Sequence, residues 1–329
     1  MTERTCVRQQ FWQSGRLGTI LKARLAVEGI VPGRLRAELI DPGKQTTHQV
    51  YVGDARQLSF IPDESVHLVV TSPPYGGLKE YPPSQGQLGN LDSYDEFLAE
   101  MDKVLSEWQR ILVPGGRVCA VIGDICLSRR RAGRHRILPL PSDIQVRARS
   151  HGLDALTPIM WLKVANITLE ASRSSRFLGK PYLPGGVVKN DRETIVLLRK
   201  PGGYRKPTSD METRSKIAKE DYFAWFRPMW TDVTGASTKH HPAPYPLEIP
   251  RRLIQMYSFV GDIVVDPFGG TGTTAEAAFL CGRNSISVDV QDAYVTSSVS
   301  RLQRLLPIPP PPPGAVGAMQ GSILGLAAT

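Results

Sequence analysis

The stretch Asp262-Ile-Val-Val-Asp-Pro-Phe-Gly-Gly-Thr-Gly-Thr-Thr274 decides the fold. It reads as a β-branched strand, a glycine-rich turn and the start of a helix whose pattern covers 274–280. Glycines at 269, 270 and 272 allow a sharp turn and a close approach of a ligand to the backbone. The helix start offers unpaired N–H groups that suit an anionic group such as a carboxylate. Asp266, at the carboxyl end of the strand, can accept from a ligand amine. About twenty residues on, Ser285-Ile-Ser-Val-Asp289 reads as a second strand ending in an acid, the position that holds ribose hydroxyls in dinucleotide folds. The turn is not G-x-x-x-x-G-K-[ST], which disfavours an ATP phosphate loop, and not G-x-G-x-x-G, which disfavours a nicotinamide cofactor. The bland alternative is a glycine turn with nothing bound.

Outward from this segment, short apolar runs alternate with longer helical patterns, as in an α/β sheet. The strands predicted are His48–Val52, His67–Thr71, Arg117–Ile122, Thr194–Leu198, Asp262–Asp266 and Ser285–Asp289. Apolar residues at Phe97, Met101, Val104, Leu105, Trp108, Ile111 and Leu112 predict a helix over Asp92–Leu112, stopped by Pro114-Gly-Gly116. Residues 1–45 read as a basic extension ending in the turn signal Asp41-Pro-Gly43, residues 46–306 as the main domain, and 307–329, with five consecutive prolines, as a flexible tail.

The chain has 329 residues, 41% of them hydrophobic, and a formal charge of +9. That composition excludes a wholly disordered chain and a small disulfide scaffold. The charge is localised. Ser128–Ser150 holds seven arginines against one aspartate, and Arg173–Lys219 holds twelve Lys/Arg against four acids. A basic stretch suits an anionic partner, of which nucleic acid is the commonest, although two solvated loops would look the same. The four cysteines form no C-x-x-C pair or zinc spacing, so no metal is expected. No apolar h-region opens the sequence and no apolar run reaches membrane-spanning length, so a reduced, cytoplasmic protein away from membranes is expected.

A second segment carries chemistry. Leu68-Val-Val-Thr-Ser-Pro-Pro-Tyr-Gly-Gly77 is an apolar strand that runs into a diproline corner. The prolines fix φ and lack N–H groups, and the residue before each is kept extended, so the turn cannot wind into a helix. It presents the Ser72 hydroxyl and the Pro73 carbonyl as acceptors beside Pro74 and the Tyr75 ring. Two acceptors can hold both hydrogens of an exocyclic amine on a flat base and turn its lone pair toward an electrophile.

Together, Thr71-Ser-Pro-Pro-Tyr75 and Asp266-Pro-Phe-Gly-Gly-Thr-Gly-Thr-Thr274 resemble the amino-methylating DNA methyltransferases that use S-adenosylmethionine, with the catalytic motif first, as in the beta-type order. Ser-Pro-Pro-Tyr is most similar to the cytosine-N4 branch; the adenine-N6 branch usually has Asp or Asn at the place of Ser72. The resemblance spans roughly 48–305. It implies a Rossmann-like, mostly parallel seven-stranded sheet with helices on both faces and a target-recognition segment over 202–238. It assigns Asp266, Phe268, Gly270, Gly272 and Thr273 to the cofactor, Asp289 to its ribose, Asp54 to its adenine end, and Ser72, Pro73, Pro74 and Tyr75 to the target base. Lys239–Pro246, with the helical pattern Leu247–Tyr257, resembles the element leading into the cofactor motif.

The implied activity is methyl transfer to the N4 amine of a cytosine flipped out of duplex DNA. Arg129, Arg130, Arg131, Arg134, Arg136 and Lys206 are expected on phosphates. The aromatics Tyr222, Phe223, Trp225, Phe226 and Trp230 are expected to form a small core rather than to stack on bases. Cytosine-C5 chemistry is disfavoured, since no cysteine follows a proline. The rivals are an adenine-N6 enzyme, an RNA substrate, and a non-catalytic DNA-binding protein with the same fold. Whether a cognate restriction endonuclease shares the recognition sequence, and whether the chain acts as a monomer or homodimer, stay open.

Overall fold

Val264 and Val265, fully buried in the middle of β11 (Ile263–Asp266), show why this run is a strand. It is short, β-branched and apolar on both faces, as an interior parallel strand must be. The computed structural model describes residues 33–75, 86–91, 93–127, 132–163, 184, 188, 190–235 and 245–306. The tail 307–329, Arg129, Arg130, Arg131 and residues 239–244 lie outside them, as do residues 1–32 of the extension.

The main sheet contains β1 (Arg34–Asp41), β2 (Thr46–Val52), β3 (Val66–Thr71), β4 (Leu112–Ile122), β7 (Asp154–Ala155), β8 (Ile159–Leu162), β9 (Arg192–Arg199), β10 (Met229–Trp230), β11 and β12 (Asn284–Asp289). Its order is β1-β2-β12-β11-β3-β4-β9-β8-β10, with β7 beside β9. Strands β2, β12, β11, β3 and β4 are mutually parallel; β9 runs antiparallel to β4, β7 and β8, and β1 runs antiparallel to β2. A separate hairpin pairs β5 (Ile125–Leu127) with β6 (Arg136–Leu138).

All six strands predicted from sequence are present. The sheet is larger and more mixed than the seven mostly parallel strands implied by resemblance, with ten described. Part of the excess is β1, which lies inside the stretch read as an extension. The Asp41-Pro-Gly43 turn folds it back onto β2, and Asp41 Oδ1 accepts from the N–H groups of Gly43 (2.9 Å) and Lys44 (3.3 Å). Two-residue strands β7 and β10 supply the rest, too short to leave a periodic signal.

Helices α1 (Tyr94–Ile111), α2 (Leu140–Ser150), α3 (Ser209–Arg214), α4 (Lys219–Trp225), α5 (Glu248–Tyr257), α6 (Thr273–Leu280) and α7 (Asp292–Gln303) complete the described elements. Ser93 caps α1 by accepting from Glu96 N, and the apolar face read from sequence is the face that packs. The stop differs. The helix ends at Ile111, and Pro114-Gly-Gly116 falls inside β4, where Gly115 has φ of +80° and the pairing with β3 shifts register. The segment is thus a bulge that turns the chain into the strand, not the helix breaker.

Alternate residues of the central strands feed two cores, and a third joins Ala37, Leu39 and Val50 of β1 and β2 to α6 and α7. Val69, Val118, Ala120, Val196 and Leu198 pack with α1 and α2. Leu68, Val70, Cys119, Val121, Ile195 and Leu197 pack with α5 and α6 on the other face. Trp225 and Trp230 join this second core, as expected, whereas Tyr222, Phe223 and Phe226 are exposed. The two tryptophan N–H groups explain part of the difference: Trp161 donates to the Val233 carbonyl (2.8 Å) and Trp230 to the Trp225 carbonyl (2.9 Å), so this corner is satisfied without the other rings. Among the described residues no helix is long and apolar enough to cross a membrane.

Gly272 locks α6 to α7. Its φ is +85°, and a Cβ there would lie 2.4 Å from Ser298 Oγ and 3.0 Å from Ser298 Cα. Left-handed backbone and overpacking therefore act together, and Gly272→Ala should lower the unfolding free energy by about 2–5 kcal/mol. Urea denaturation checks this; a loss below about 0.5 kcal/mol would show that α7 can move away.

Candidate active site

The connection β11–α6–β12 moves toward one edge of the sheet, while β3–α1–β4 moves toward the other. Between β11 and β3 the carboxyl ends therefore diverge, and a crevice opens at this switch point. The two sequence motifs follow these two strands. The crevice encloses about 570 Å³ of free space, part of it open to solvent. Asp54 and Ala55 enter it after β2, and Ser72, Pro73 and Pro74 after β3. Pro267 and Phe268 enter after β11, and Asp289 and Val290 after β12. Tyr294 of α7 and residues Gly86, Gln87 and Leu88 close it.

Asp266 does not line this crevice. Its buried carboxylate accepts from Thr71 Oγ1 (2.6 Å), Thr274 Oγ1 (2.6 Å) and Phe268 N (3.1 Å), and Tyr245, whose hydroxyl bonds Thr274 Oγ1, lies 3.5 Å from it. Thr71 ends the strand before Ser72, and Thr274 lies in the first turn of α6. The sequence reading gives this carboxylate to a ligand amine; in the structure its oxygens accept from protein groups of β3, of α6 and of the turn between β11 and α6. Three short charge-assisted bonds contribute about 1.5–3 kcal/mol each, against a desolvation cost of several kcal/mol. Burial outweighs the donors, and the carboxyl is held above its ordinary range.

Asp289 and Asp54 face the crevice. Asp289 Oδ2 accepts from Gly270 N (2.9 Å) and Oδ1 from Gln291 N (2.8 Å), which fixes the carboxylate at the crevice. Burial lifts its pKa to about 6. Asp54 is held by Arg56 through its Oδ1 (2.9 Å) and Oδ2 (2.6 Å), and Arg56 is also bonded to Glu100 of α1. Gly86, at φ +84°, leaves a cradle: a Cβ there would lie 2.6 Å from Asp54 Oδ2 and 3.3 Å from Val290 Cγ1. Gly270 thus acts through Asp289. Gly272 caps α6 and Thr273 opens it, at the end of the glycine turn.

The diproline corner crosses the carboxyl edge from β3 over β4 to β9. The Ser72 hydroxyl donates to the Val121 carbonyl of β4 at 3.0 Å. Its proton is thereby committed, and the oxygen's remaining lone pairs make it an acceptor. Tyr75 is buried, with 5% of its surface exposed, and is not part of the crevice wall. Its hydroxyl donates to Glu193 Oε1 at 3.0 Å, at the start of β9.

Of the basic residues, Arg134 and Arg136 are exposed in and beside β6, which follows the carboxyl end of β4. Lys206 is also exposed but lies elsewhere. Its neighbour Arg205 is ion-paired with Asp262, just before β11, at the amino end of the strands. Because β9 is antiparallel to β4, the chain leaves it at that far end. Residues Tyr204, Arg205, Tyr222 and Phe226 line a second, larger hollow there with His67 and Arg117. Lys206 and this part of 202–238 are thus separated from the crevice by the length of the sheet. Among the described residues no cluster of His, Cys, Asp or Glu could hold a metal ion.

Sequence reasoning missed Thr71, Tyr245, Tyr294 and residues 86–88. Val290 and Tyr294 were accessible in principle, since they follow Asp289 directly. Residues 86–88 come from a connection with no motif of its own.

Asp266→Ala would leave the Phe268 N–H and the Thr71 hydroxyl without an acceptor. It should lower the unfolding free energy by about 2–4 kcal/mol. Asp266→Asn, which keeps one acceptor oxygen, should cost less. Equal stability of the alanine variant in urea denaturation would show that the carboxylate does not tie β3 to α6.

Comparisons with known proteins agree with this geometry. A profile of the DNA methylase family matches residues 66–300. The chain is 36% identical over 277 residues to the type II methyltransferase M.MjaI of Methanocaldococcus jannaschii, covering 74% of this chain and 88% of that protein. It is 32% identical to the type II methyltransferase M.MthZI of Methanothermobacter thermautotrophicus, covering 80% and 78%. Among solved structures, the putative DNA modification methylase TTHA0409 of Thermus thermophilus, in complex with S-adenosyl-L-methionine, superposes with a TM-score of 0.65 at 44% identity, over 80% of this chain and 95% of that one. The cytosine-N4-specific PvuII DNA methyltransferase shares the fold, with a TM-score of 0.56 at 23% identity over 77% and 86%. A crevice at the β3–β11 switch point, flanked by both motifs, and a profile match over most of the sheet lead to one conclusion: the chain belongs to the N6/N4 family of DNA methylases.

Proposed function

We propose that this DNA methyltransferase acts on the exocyclic N4 amine of a cytosine flipped out of duplex DNA. The observation that carries this reading is the shared cavity. Ser72, Pro73 and Pro74 line the same crevice as Phe268 and Asp289, so a group held by the corner and a cofactor held by the strand ends meet.

The cofactor is S-adenosylmethionine. The crevice fits it: apolar Ala55, Leu88, Phe268 and Val290 suit a flat adenine, and the Gly86 cradle keeps Asp54 open. Asp289, fixed by backbone N–H groups at the end of β12 and lining the crevice, suits ribose hydroxyls. When bound, the cofactor supplies an electrophilic methyl on a sulfonium. Asp54, Phe268 and Asp289 would hold it. Asp266, Gly270, Gly272 and Thr273 act on the shape and fixity of that wall.

Ser72 and the Pro73 carbonyl accept the two amine hydrogens and direct the nitrogen lone pair into the crevice. Most of the rate enhancement comes from this positioning. Ser72 cannot serve as a base at neutral pH, and its own proton is committed to Val121. The surplus proton of the methylated amine leaves to water. Arg134 and Arg136, on the same side of the sheet as the crevice, grip the DNA backbone, and the neighbouring Arg129, Arg130 and Arg131 add positive charge in sequence. The work is that of a site-specific enzyme of a restriction-modification system in the cytoplasm. Adenine N6 is the second reading, because the family covers both amines and the choice rests on the serine at 72.

The product decides the base. DNA methylated by the full chain and digested to nucleosides should yield N4-methyldeoxycytidine by mass spectrometry. N6-methyldeoxyadenosine would overturn the cytosine assignment. Ser72→Ala should lower kcat about a hundredfold, as loss of one preorganised polar contact does elsewhere, with cofactor affinity kept. A wild-type kcat would remove Ser72 from the site.

Asp289 makes cofactor binding pH-dependent. Its ionised form is the stronger acceptor for hydroxyls, so affinity for S-adenosylmethionine should fall as pH drops through about 6. The sign for stability is opposite. A carboxyl raised by folding contributes stability below its ordinary range, and that contribution is lost as pH rises through about 6. Calorimetric titration from pH 5 to 8 should show the inflection in the wild type and none in Asp289→Asn.

A further inference from the structure

We propose that Glu193, clamped by Lys163, is a positioning residue that fixes the Tyr75 ring for the target base. This rests on the proposed function and on the assignment of Tyr75 to the target base that the motif resemblance implies. Neither Glu193 nor Lys163 lines the cofactor crevice.

Tyr75 is the last residue of the corner. The first, Ser72, is anchored to β4, and the last is anchored to the next strands of the sheet. The Tyr75 hydroxyl donates to Glu193 Oε1 at 3.0 Å, and the Lys163 ammonium is ion-paired to the same oxygen. Glu193 is the second residue of β9, and Lys163 follows the last residue of β8. These strands pair, with Trp161 opposite Glu193, and Lys163 N donates to the Asp191 carbonyl at 2.9 Å. Both charged side chains therefore spring from paired backbone. The Glu193 side chain is 12% exposed and that of Lys163 is 26% exposed.

The ring is also bounded by Gly123. A Cβ there would lie 3.2 Å from Tyr75 Cε1 and 3.6 Å from its hydroxyl oxygen. A tyrosine side chain has two rotors. Contact at Gly123 limits the tilt of the ring, and a hydrogen bond at its far end fixes where that end points. A carboxylate this enclosed needs a counter-charge, which Lys163 provides without competing for the ring. A plain β8–β9 staple would need the Lys163–Glu193 pair but no phenol.

Separating the two roles requires both a clean variant and a rescue. Tyr75→Phe keeps the ring and removes only the anchor; it should lower kcat on duplex DNA about tenfold with cofactor affinity unchanged. Glu193→Leu should do the same, and Glu193→Gln, which keeps an acceptor oxygen, should restore most of that loss. The double variant Tyr75→Phe/Glu193→Leu should be no slower than either single, because both remove one interaction. A wild-type kcat for Tyr75→Phe, additive losses in the double variant, or a loss of cofactor affinity in step with kcat would overturn the proposal. Should Glu193→Leu fail to fold, the comparison of Tyr75→Phe with Tyr75→Ala still decides. An inactive Tyr75→Ala beside a fully active Tyr75→Phe overturns the positioning role alone. A fully active Tyr75→Ala overturns the reading of Tyr75 as a base-facing residue.

Discussion

The carboxylate of Asp266 sits where β3 and β11 diverge and is bonded to both sides of the divergence. Thr71 ties it to the strand that leads into the diproline corner, and Thr274 ties it to the helix that follows the glycine turn. Two adjacent parallel strands would leave a crevice in any case. What this acid adds is registration: the position of Ser72 and the position of the glycine turn are set by one group. The cost of burying it explains the number of donors. Fewer hydrogen bonds would leave the desolvation of a charge uncompensated in a fully enclosed place.

From that point the carboxyl edge of the sheet divides its labour. Strands β2, β12 and β11 supply acids and apolar residues to the cofactor side. Strands β3, β4, β9 and β8 hold the diproline corner, through Val121, Gly123, Glu193 and Lys163. The corner spans both halves because prolines stop it from coiling, so its two ends can be pinned on different strands. Several motif residues then act at one remove. Gly270 holds Asp289, and Gly272 makes room for Ser298. Their place in the motif reflects the turn they build.

Much of this was legible beforehand, for a physical reason. A fully buried parallel strand must be apolar and β-branched, and a diproline or a triple-glycine turn has few conformations. These are local constraints, and local constraints leave marks in neighbouring residues. The helix over Tyr94–Ile111 belongs to the same class, since its packed face repeats every three to four residues. Its stop was misread because Pro114-Gly-Gly116 has the composition of a breaker; only the pairing of β4 with β3 and β9 turns it into a bulge. Strand β1 was hidden by its charged, mixed composition, which suits an edge strand as well as an extension.

By itself, then, the amino-acid sequence determined the α/β class, the two motif turns, their order, and hence the family and its chemistry. Each motif is read from residues within a dozen positions of one another, and their order from where the two segments lie along the chain. Tertiary structure alone decided that Asp266 ties β3 to α6, and that Tyr75 is anchored on Glu193. It also put Lys206 beyond the far end of the sheet. Those outcomes depend on which distant strand lies alongside and which way it runs. Asp266 and Thr71 are 195 positions apart, and Tyr75 and Glu193 are 118 apart. Hydrogen bonds over such separations are made by the sheet order, and no pattern in either short segment encodes them.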